Sequence, residues 1–346
     1  MTSAPRIGID AMGGDFGPRP VAEGAALALR EWPGRFQLTL VGDDAEIRAE
    51  LARAHVEASR VTIVHAAEKV EMGAKAVAAA RKSGTSLGVL TQLHKDRQLD
   101  AIFSAGNTGA VVATALLGLG RLEGVSRPAL AAFFPNAGHG TVVLDVGANA
   151  EVKPQWLVQF AHMGSCMARY LLGHENPRVG LLSIGEEESK GNQLVQESLP
   201  LIKAARHLNF IGPVEGRDLF KGTCDVIVTD GFTGNVALKI SESLAEMIGA
   251  MIKEELTRDL RSRVGAALSM PAFHRFRKRV DYTEMGGAPL LGIDGAAIIC
   301  HGASPVKAIK NAVRVAAEWA KAGLNEHIKA ALEAEIARGG REGGRE

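Results

Sequence analysis

The sequence has few cysteines. It holds three in 346 residues, at Cys166, Cys224 and Cys300. Because they are odd in number and widely spaced, they fit neither a disulfide framework nor a zinc site. We expect them to be inert, reduced core residues of a cytosolic protein.

An excess of one charge and a long apolar run are both missing. The 40 basic and 39 acidic residues balance, so nucleic-acid binding is not expected. The most apolar segment, residues 109–120, is too short to span a bilayer and predicts a core helix. The N-terminus enters a strand pattern directly, without the basic and apolar regions of a signal peptide. These features predict a cytoplasmic location.

Several catalytic motifs are absent. The glycines of Gly13-Gly-Asp-Phe-Gly17 have the wrong spacing for a dinucleotide fingerprint, and no P-loop or G-x-S-x-G elbow occurs. The histidines lack metal-ligand spacing, and no carboxylate cluster suits a divalent cation, which disfavours a metal-dependent dehydrogenase. We therefore expect no cofactor and no metal.

Strand and helix patterns alternate along almost the whole chain. This alternation predicts an α/β fold with a doubly wound, largely parallel sheet. Residues 1–338 are expected to form a single catalytic domain, with two intimate subdomains possible. A helical arm covers about 236–285, and residues 339–346 form a low-complexity tail expected to be disordered.

Residues 225–260 form the central pattern of the chain. A β-branched run, Asp225-Val-Ile-Val-Thr-Asp230, predicts a buried strand, and Gly231-Phe-Thr-Gly-Asn235 follows as a glycine-rich turn. Apolar residues then recur at helical spacing from Val236 to Leu260. A strand that leads into a helix through such a turn offers backbone N–H groups to an anion.

Five more glycine-containing turns follow predicted strands. Ligands of open α/β sheets bind beyond the carboxyl ends of strands, so we expect six turns at one sheet edge to form a polar, anion-binding cleft. The other five are Asp10-Ala-Met-Gly-Gly-Asp15, Ser104-Ala-Gly-Asn-Thr-Gly109, Asp145-Val-Gly-Ala-Asn149, Gly185-Glu-Glu-Glu-Ser-Lys-Gly-Asn192 and Cys300-His-Gly-Ala-Ser304.

These phrases, together with Gly216-Arg-Asp218, resemble the phosphate acyltransferases of bacterial phospholipid synthesis over nearly the whole chain. The resemblance implies a fold similar to phosphotransacetylases and isopropylmalate dehydrogenases. It implies transfer of a long acyl chain from acyl carrier protein to inorganic phosphate. The acyl phosphate product would serve a downstream glycerol-3-phosphate acyltransferase, which the resemblance implies as a partner.

The resemblance places catalysis on Lys190 and Asn235. Phosphate is already an anion and a thioester is already reactive, so direct attack needs no enzyme nucleophile. Lys190 would hold phosphate, and the amide of Asn235 would donate to the thioester oxygen. Two structural alternatives stay open: Asn235 as a helix N-cap and Lys190 as a solvated surface lysine.

Further residues of the turns are candidate phosphate or substrate ligands. Asp145 and Asp230 have the alternative role of pinning their turns, and His301 that of a core histidine. The candidate ligands are Asp10, Gly13, Gly14, Asn107, Thr108, Gly109, Asn149, Asn192, Asp230, Thr233, Gly234 and His301.

The arm carries two predictions. Its wide apolar stripe predicts a homodimer joined by these helices. From Leu260 to Val280 the chain is basic, without an acidic residue, and apolar residues are interleaved. This pattern predicts contact with the inner membrane surface, ahead of docking to acidic acyl carrier protein or a plain solvated helix end. The contact candidates are Arg261, Arg263, Leu268, Met270, Phe273, Arg275, Arg277 and Lys278.

Two rival functions remain. A phosphotransacetylase-like enzyme would use acyl-coenzyme A in place of acyl carrier protein. A non-catalytic membrane scaffold would keep the fold but not the chemistry, and the presence of Lys190 and Asn235 argues against it.

Overall fold

The computed structural model describes residues 4–136, 138, 140–280 and 282–342. The strands are β1 (Arg6–Asp10), β2 (Gln37–Gly42), β3 (Thr62–His65), β4 (Ala101–Ser104), β5 (Ala129–Phe134), β6 (Thr141–Leu144), β7 (Arg178–Leu182), β8 (Asn209–Val214), β9 (Val226–Val228), β10 (Ala288–Leu291) and β11 (Ala297–Ile299). They form one sheet of 11 strands, in the order β3-β2-β1-β4-β11-β10-β5-β6-β9-β7-β8.

Helices lie between most of the strands. They are α1 (Pro18–Glu31), α2 (Asp44–Arg53), α3 (Ala76–Ala80), α4 (Ser86–Lys95), α5 (Thr108–Gly118), α6 (Pro154–Tyr170), α7 (Gln193–Ala204), α8 (Asp218–Lys221), α9 (Gly231–Thr257), α10 (Leu260–Val280), α11 (Val306–Ala322) and α12 (Leu324–Glu342). The predicted α/β class with a largely parallel sheet is confirmed, because most strand pairings are parallel.

The sheet consists of two parallel blocks that run in opposite directions. The first block is β1, β2, β3, β4 and β11, and the second is β6, β7, β8 and β9. Between them, the pairings of β11 with β10, β10 with β5 and β5 with β6 are all antiparallel. Three successive reversals invert the second block. The prediction that all six turns share one sheet edge is therefore wrong.

Both faces of the sheet are packed. In β6, Val142 and Leu144 belong to one hydrophobic cluster while Val143 belongs to the other, as the alternation of side chains along a strand requires. Each cluster also contains residues of the first block, Ile7 in one and Ile102 in the other. The two blocks therefore share a continuous core, which gives the sites near their junction a rigid support.

The arm begins at the carboxyl end of β9. In α9 the buried residues are Gly231 and Gly234, both in the first turn, and the rest of this helix is exposed or half-buried. Helix α10 contacts α9. An apolar stripe on α9 lies in solvent and consists of Val236, Ile240, Leu244, Met247, Ile248, Met251 and Ile252.

Some elements differ from those expected. The glycine-rich segment 231–235 is the first turn of α9 and not a loop before it. The short elements α8 and β10 were not predicted. Helix α12 reaches Glu342 and so extends into the segment expected to be a disordered tail, while residues 343–346 lie outside the described chain.

None of the helices in the described part of the chain is long and apolar enough to cross a membrane. The apolar segment 109–120 instead supplies most of α5, in which Ala110, Val111 and Ala115 are buried.

Candidate active site

Asp145 organises the loop that follows β6. Its Oδ1 accepts hydrogen bonds from the backbone N–H groups of Leu130, Gly147 and Ala148, at 2.9–3.1 Å. Its Oδ2 accepts from the backbone and side-chain nitrogens of Asn149, at 2.7 and 2.9 Å. Burial raises the pKa of Asp145, while these hydrogen bonds act in the opposite direction. The predicted turn-pinning role of Asp145 is confirmed.

Two glycines let α9 pack directly on this loop. A Cβ at Gly231 would overlap the backbone oxygen of Asn149, and a Cβ at Gly234 would overlap the backbone oxygen of Asp145. The Gly231 N–H also donates to the Asn149 oxygen at 2.9 Å. Glycine is thus needed here for close approach, and the contact fixes the start of α9 against residues 145–149.

Asp230 caps α9. Its carboxylate accepts from the backbone N–H of Thr233 at 2.8 Å and from the Thr233 hydroxyl at 2.7 Å. Asn235 lies beyond the cap, inside the helix, so its alternative role as an N-cap is wrong. Its Nδ2 donates to the backbone oxygen of Val146 at 3.0 Å. This bond uses one of the two N–H donors of the amide and holds the exposed side chain in place.

Lys190 lies in the loop between β7 and α7. Its Nζ forms an ion pair with Glu187 Oε2 at 2.9 Å, and about half of its side chain is exposed. The hydrogen bond to Glu187 raises the pKa of Lys190, which is therefore a cation at neutral pH. Gly185 lies directly below the lysine, since a Cβ there would meet Lys190 Cδ. Asn192 ends the loop as the N-cap of α7, and it accepts from Val195 N–H at 3.0 Å.

Asp10 holds the first loop of the other block. It accepts from the Ser104 hydroxyl at 2.7 Å and from the backbone N–H groups of Met12 and Gly13, at 3.2 and 3.1 Å. Its carboxylate is buried, and this burial raises its pKa. A Cβ at Gly13 would come within 3.0 Å of Asp10, Ser104 and the Gly106 nitrogen, so only glycine fits.

The neighbouring loops join the same cluster. Asn107 caps α5 by accepting from Ala110 N–H at 2.9 Å, and its amide also donates to the Met72 backbone oxygen. Thr108 and Gly109, the first residues of α5, are exposed. Gly14 has a positive φ of 98° and faces the Gly302 oxygen. The first-block loops after β1, β4 and β11 therefore lie together.

A cavity joins the two blocks. It lies over the short central strands β5, β10 and β11, and residues of both blocks line it: Thr108, His301 and Ser304 from the first, Val146 and Asn235 from the second. His301 is exposed, and its Nδ1 accepts from Ala303 N–H at 3.2 Å. It is not the core histidine considered as an alternative. The central strands are three to six residues long, so both sheet ends are close to this cavity.

The structure thus brings Asn235, Thr108 and His301 to one cavity. Lys190 is not among the described residues that line it; its loop is instead the neighbour of the α9 loop, because β7 pairs with β9. The side chains of Asp10, Asn149 and Asp230 hold their own loops together. Sequence reasoning missed Leu238, Lys239 and Glu242, which follow Asn235 on one helix face and also line the cavity.

The basic residues of α10 whose side chains the structure describes are in solvent. Arg261, Arg263, Leu268, Met270 and Arg275 are exposed, and Phe273 is half-buried. The side chains of Arg277 and Lys278, which belong to α10, lie outside the described part.

All three cysteines are buried, and burial raises their pKa values to about 11 or 12, as expected for inert thiols.

Comparison with known proteins identifies the family. A family model described as "Fatty acid synthesis protein" matches residues 5–327. A phosphate acyltransferase of Geotalea daltonii is 49% identical over 93% of both chains, and one of Geobacter sulfurreducens is 48% identical over 96% of this chain and 95% of its own. A phosphotransacetylase from Streptococcus pyogenes shares the fold, with a TM-score of 0.63, 16% identity and coverage of 92% of this chain and 94% of its own. The chain belongs to the phosphate acyltransferase family.

Proposed function

We propose that this protein transfers a long-chain acyl group from acyl carrier protein to inorganic phosphate. Family membership supports the reaction class. The geometric observation that carries the proposal is the amide of Asn235, which the Val146 carbonyl holds at the mouth of a cavity between the two blocks. A fixed amide donor at a cavity mouth suits an oxyanion that develops during acyl transfer.

The reaction then needs no covalent enzyme intermediate. A phosphate oxygen attacks the thioester carbon, and the carbonyl oxygen becomes an oxyanion that accepts from Asn235. The tetrahedral intermediate then collapses: the C–S bond breaks and the new C–O bond is kept. The carrier leaves as a thiolate, which takes a proton from solvent. Acyl phosphate and free carrier protein are the products.

Lys190 is the cation proposed for phosphate. In the free protein Glu187 neutralises it, and incoming phosphate would replace that carboxylate as the partner of the ammonium group. The backbone N–H groups of Thr108 and Gly109, two exposed residues at the start of α5, are further phosphate donors in this proposal. His301, at the same cavity, is a proposed contact of the substrate.

The arm supports two further proposals. The apolar stripe of α9 is exposed along one helix face, so a second copy of this chain would cover it in a homodimer. Sedimentation of the Ile240→Glu variant tests this: we expect a monomer where the wild type is a dimer, and an unchanged mass would exclude the interface.

The basic α10 surface is proposed to contact anionic lipid at the inner face of the membrane, where a glycerol-3-phosphate acyltransferase would consume the product.

The test of the main proposal is identification of the product. The protein is incubated with hexadecanoyl carrier protein and phosphate, and ³¹P NMR is used to detect acyl phosphate. A parallel reaction with hexadecanoyl-coenzyme A tests the phosphotransacetylase-like alternative. Acyl phosphate formed faster from the carrier protein supports the proposal, whereas a preference for coenzyme A supports the alternative. No acyl phosphate from either donor would overturn both.

A further inference from the structure

The cavity beside Asn235 has an apolar inner wall. Leu130 and Ala132 of β5 and Ile299 of β11 line it, and each is at most 7% exposed. Leu130 and Ala132 are two positions apart on one strand, so both face the same side of the sheet. Ala288 of β10 completes this wall. None of these four side chains carries a polar atom that a ligand could contact.

The roof of the cavity is one face of α9. Asn235, Leu238, Lys239 and Glu242 all line it, at the spacing that places residues on a single helix face. Lys239 Nζ and Glu242 Oε2 form an ion pair at 2.8 Å. The outer rim is polar, with Thr108 and His301 exposed. Two buried polar residues, Thr283 and Ser304, also line the cavity. The cavity therefore has a polar rim, where Asn235 lies, and an apolar wall formed by β5, β10 and β11.

This gradient matches one part of an acyl thioester. The carrier's pantetheine arm contains amides, which lose their hydrogen bonds in an apolar cavity. A hydrocarbon chain makes no hydrogen bonds with water and therefore loses none when it enters the cavity. The volume is about 150 Å³, and an apolar cavity of this size binds a group about as large as benzene. It is therefore large enough for the first several carbons of a chain and not for a whole long chain.

We infer that this cavity binds the acyl-chain carbons nearest the thioester, with the thioester carbonyl at Asn235. The inference rests on the proposed function and adds Leu238 and Ala288 as residues that determine chain specificity. The chain enters between α9 and the central strands, and the carbonyl stays at the rim. Phosphate then reaches the carbonyl carbon from the solvent side.

Alkyl phosphonates test the inference because they resemble acyl phosphate and do not react. Their dissociation constants are measured by calorimetry on the full-length protein as the chain grows one carbon at a time from methyl to dodecyl. We expect affinity to rise about fourfold for each added methylene over the first several carbons, since each one leaves water for the cavity. The rise should then become shallower.

Two variants change the cavity in opposite ways. Ala288→Val fills part of the cavity with a side chain that is favourable in a strand. The increase in phosphonate affinity with chain length should then end about two carbons earlier. Leu238→Ala widens it and should make each step smaller. Leu117→Ala, an exposed leucine of α5 outside the cavity, serves as the matched control and should reproduce the wild-type series.

The outcomes separate the two proposals. A wild-type affinity that does not depend on chain length, or a series that neither cavity variant alters, would overturn the cavity assignment while acyl phosphate formation still stands. Absence of acyl phosphate formation would overturn the proposed function itself. Thermal unfolding of each variant confirms that it is folded, and either cavity variant alone is sufficient for the test.

Discussion

Lys190 and Glu187 form an ion pair, with Nζ and Oε2 2.9 Å apart, inside the loop that joins β7 to α7. Both side chains are largely exposed, so the pair adds little to folding stability. Its effect is instead on charge, because it neutralises the one cation that the proposed reaction needs. Phosphate must compete with a carboxylate that is already in place.

Replacing Glu187 by Gln should therefore tighten phosphate binding. The neutral amide no longer competes for Lys190 or repels the anion, so KM for phosphate should fall roughly two- to fivefold at low salt, and less at high salt. Glu188→Gln is the matched control, because Glu188 pairs with Lys203 at 2.7 Å and not with Lys190. Steady-state kinetics at two ionic strengths provide the measurement. An equal change in both variants would show only a general charge effect.

The packing of α9 on the Asp145 loop predicts opposite effects for two glycines of one helix. Gly→Ala inside a helix normally stabilises by about 1 kcal/mol. At Gly249, where nothing lies near the added methyl group, we expect that gain. At Gly234 the methyl group would overlap the Asp145 backbone oxygen, so we expect a loss of about 1–3 kcal/mol or more. Denaturant unfolding measures both variants, and a stabilised Gly234→Ala variant would contradict the described contact.

Buried His162 predicts a loss of stability at acidic pH. It lies in α6, and its Nε2 is 3.7 Å from Glu335 Oε2 of α12. Burial, with a smaller contribution from His207, lowers the pKa of His162 to about 4. In the unfolded chain His162 is protonated below about pH 6.5, but in the folded protein it is protonated only below about pH 4. The free energy of unfolding therefore decreases as pH falls through this range.

Once the pH is below both pKa values, the total loss of unfolding free energy from His162 is about 3 kcal/mol. Unfolding free energies of the wild type and of His162→Gln, measured from pH 7.5 to pH 4.5, test it. The variant should lose distinctly less stability than the wild type over this range. Parallel losses in the two proteins would show that His162 is not responsible.

The α10 surface predicts binding to anionic vesicles. Leu268 is 80% exposed and lies in α10 between the basic residues Arg263 and Arg275. Replacing it by Glu should weaken binding to phosphatidylglycerol vesicles roughly tenfold or more, because the apolar insertion is lost. Ser269→Glu adds the same charge without removing an apolar group and should have a smaller effect. Vesicle sedimentation measures both. Equal binding of the wild type to neutral and anionic vesicles would exclude the lipid contact, and titration with carrier protein would then test the alternative partner.

Much of the fold was predictable because its elements have local signals. Pro18 at the start of α1 is such a signal for a helix, and the alternation of Ile7 and Ile9 in β1 is one for a strand. Neither signal depends on distant contacts. The direction of the second block was not predictable in this way. It depends on β10, a short strand late in the chain that inserts beside β5, and single-sequence periodicity does not identify such pairings.

The candidate site shows the same division. The role of Asp145 as a loop anchor follows from its place after a strand, and the structure agrees. The role of Asn235 as a helix cap was a reasonable alternative, but Asp230 fills that position and leaves Asn235 inside the helix. The cavity was not predictable, because β5, α9 and β11 supply its walls from segments far apart in sequence.

The most direct test of the proposed reaction is the release of carrier thiol from hexadecanoyl carrier protein, measured with and without phosphate. The wild type is compared with Lys190→Ala and Asn235→Ala, whose unfolding midpoints are measured in parallel. We predict phosphate-dependent release that falls ~100-fold or more in each variant, with little change in stability. Release that does not depend on phosphate in the wild type, or full activity in folded Asn235→Ala, would contradict the central claim that this cleft transfers acyl groups to phosphate.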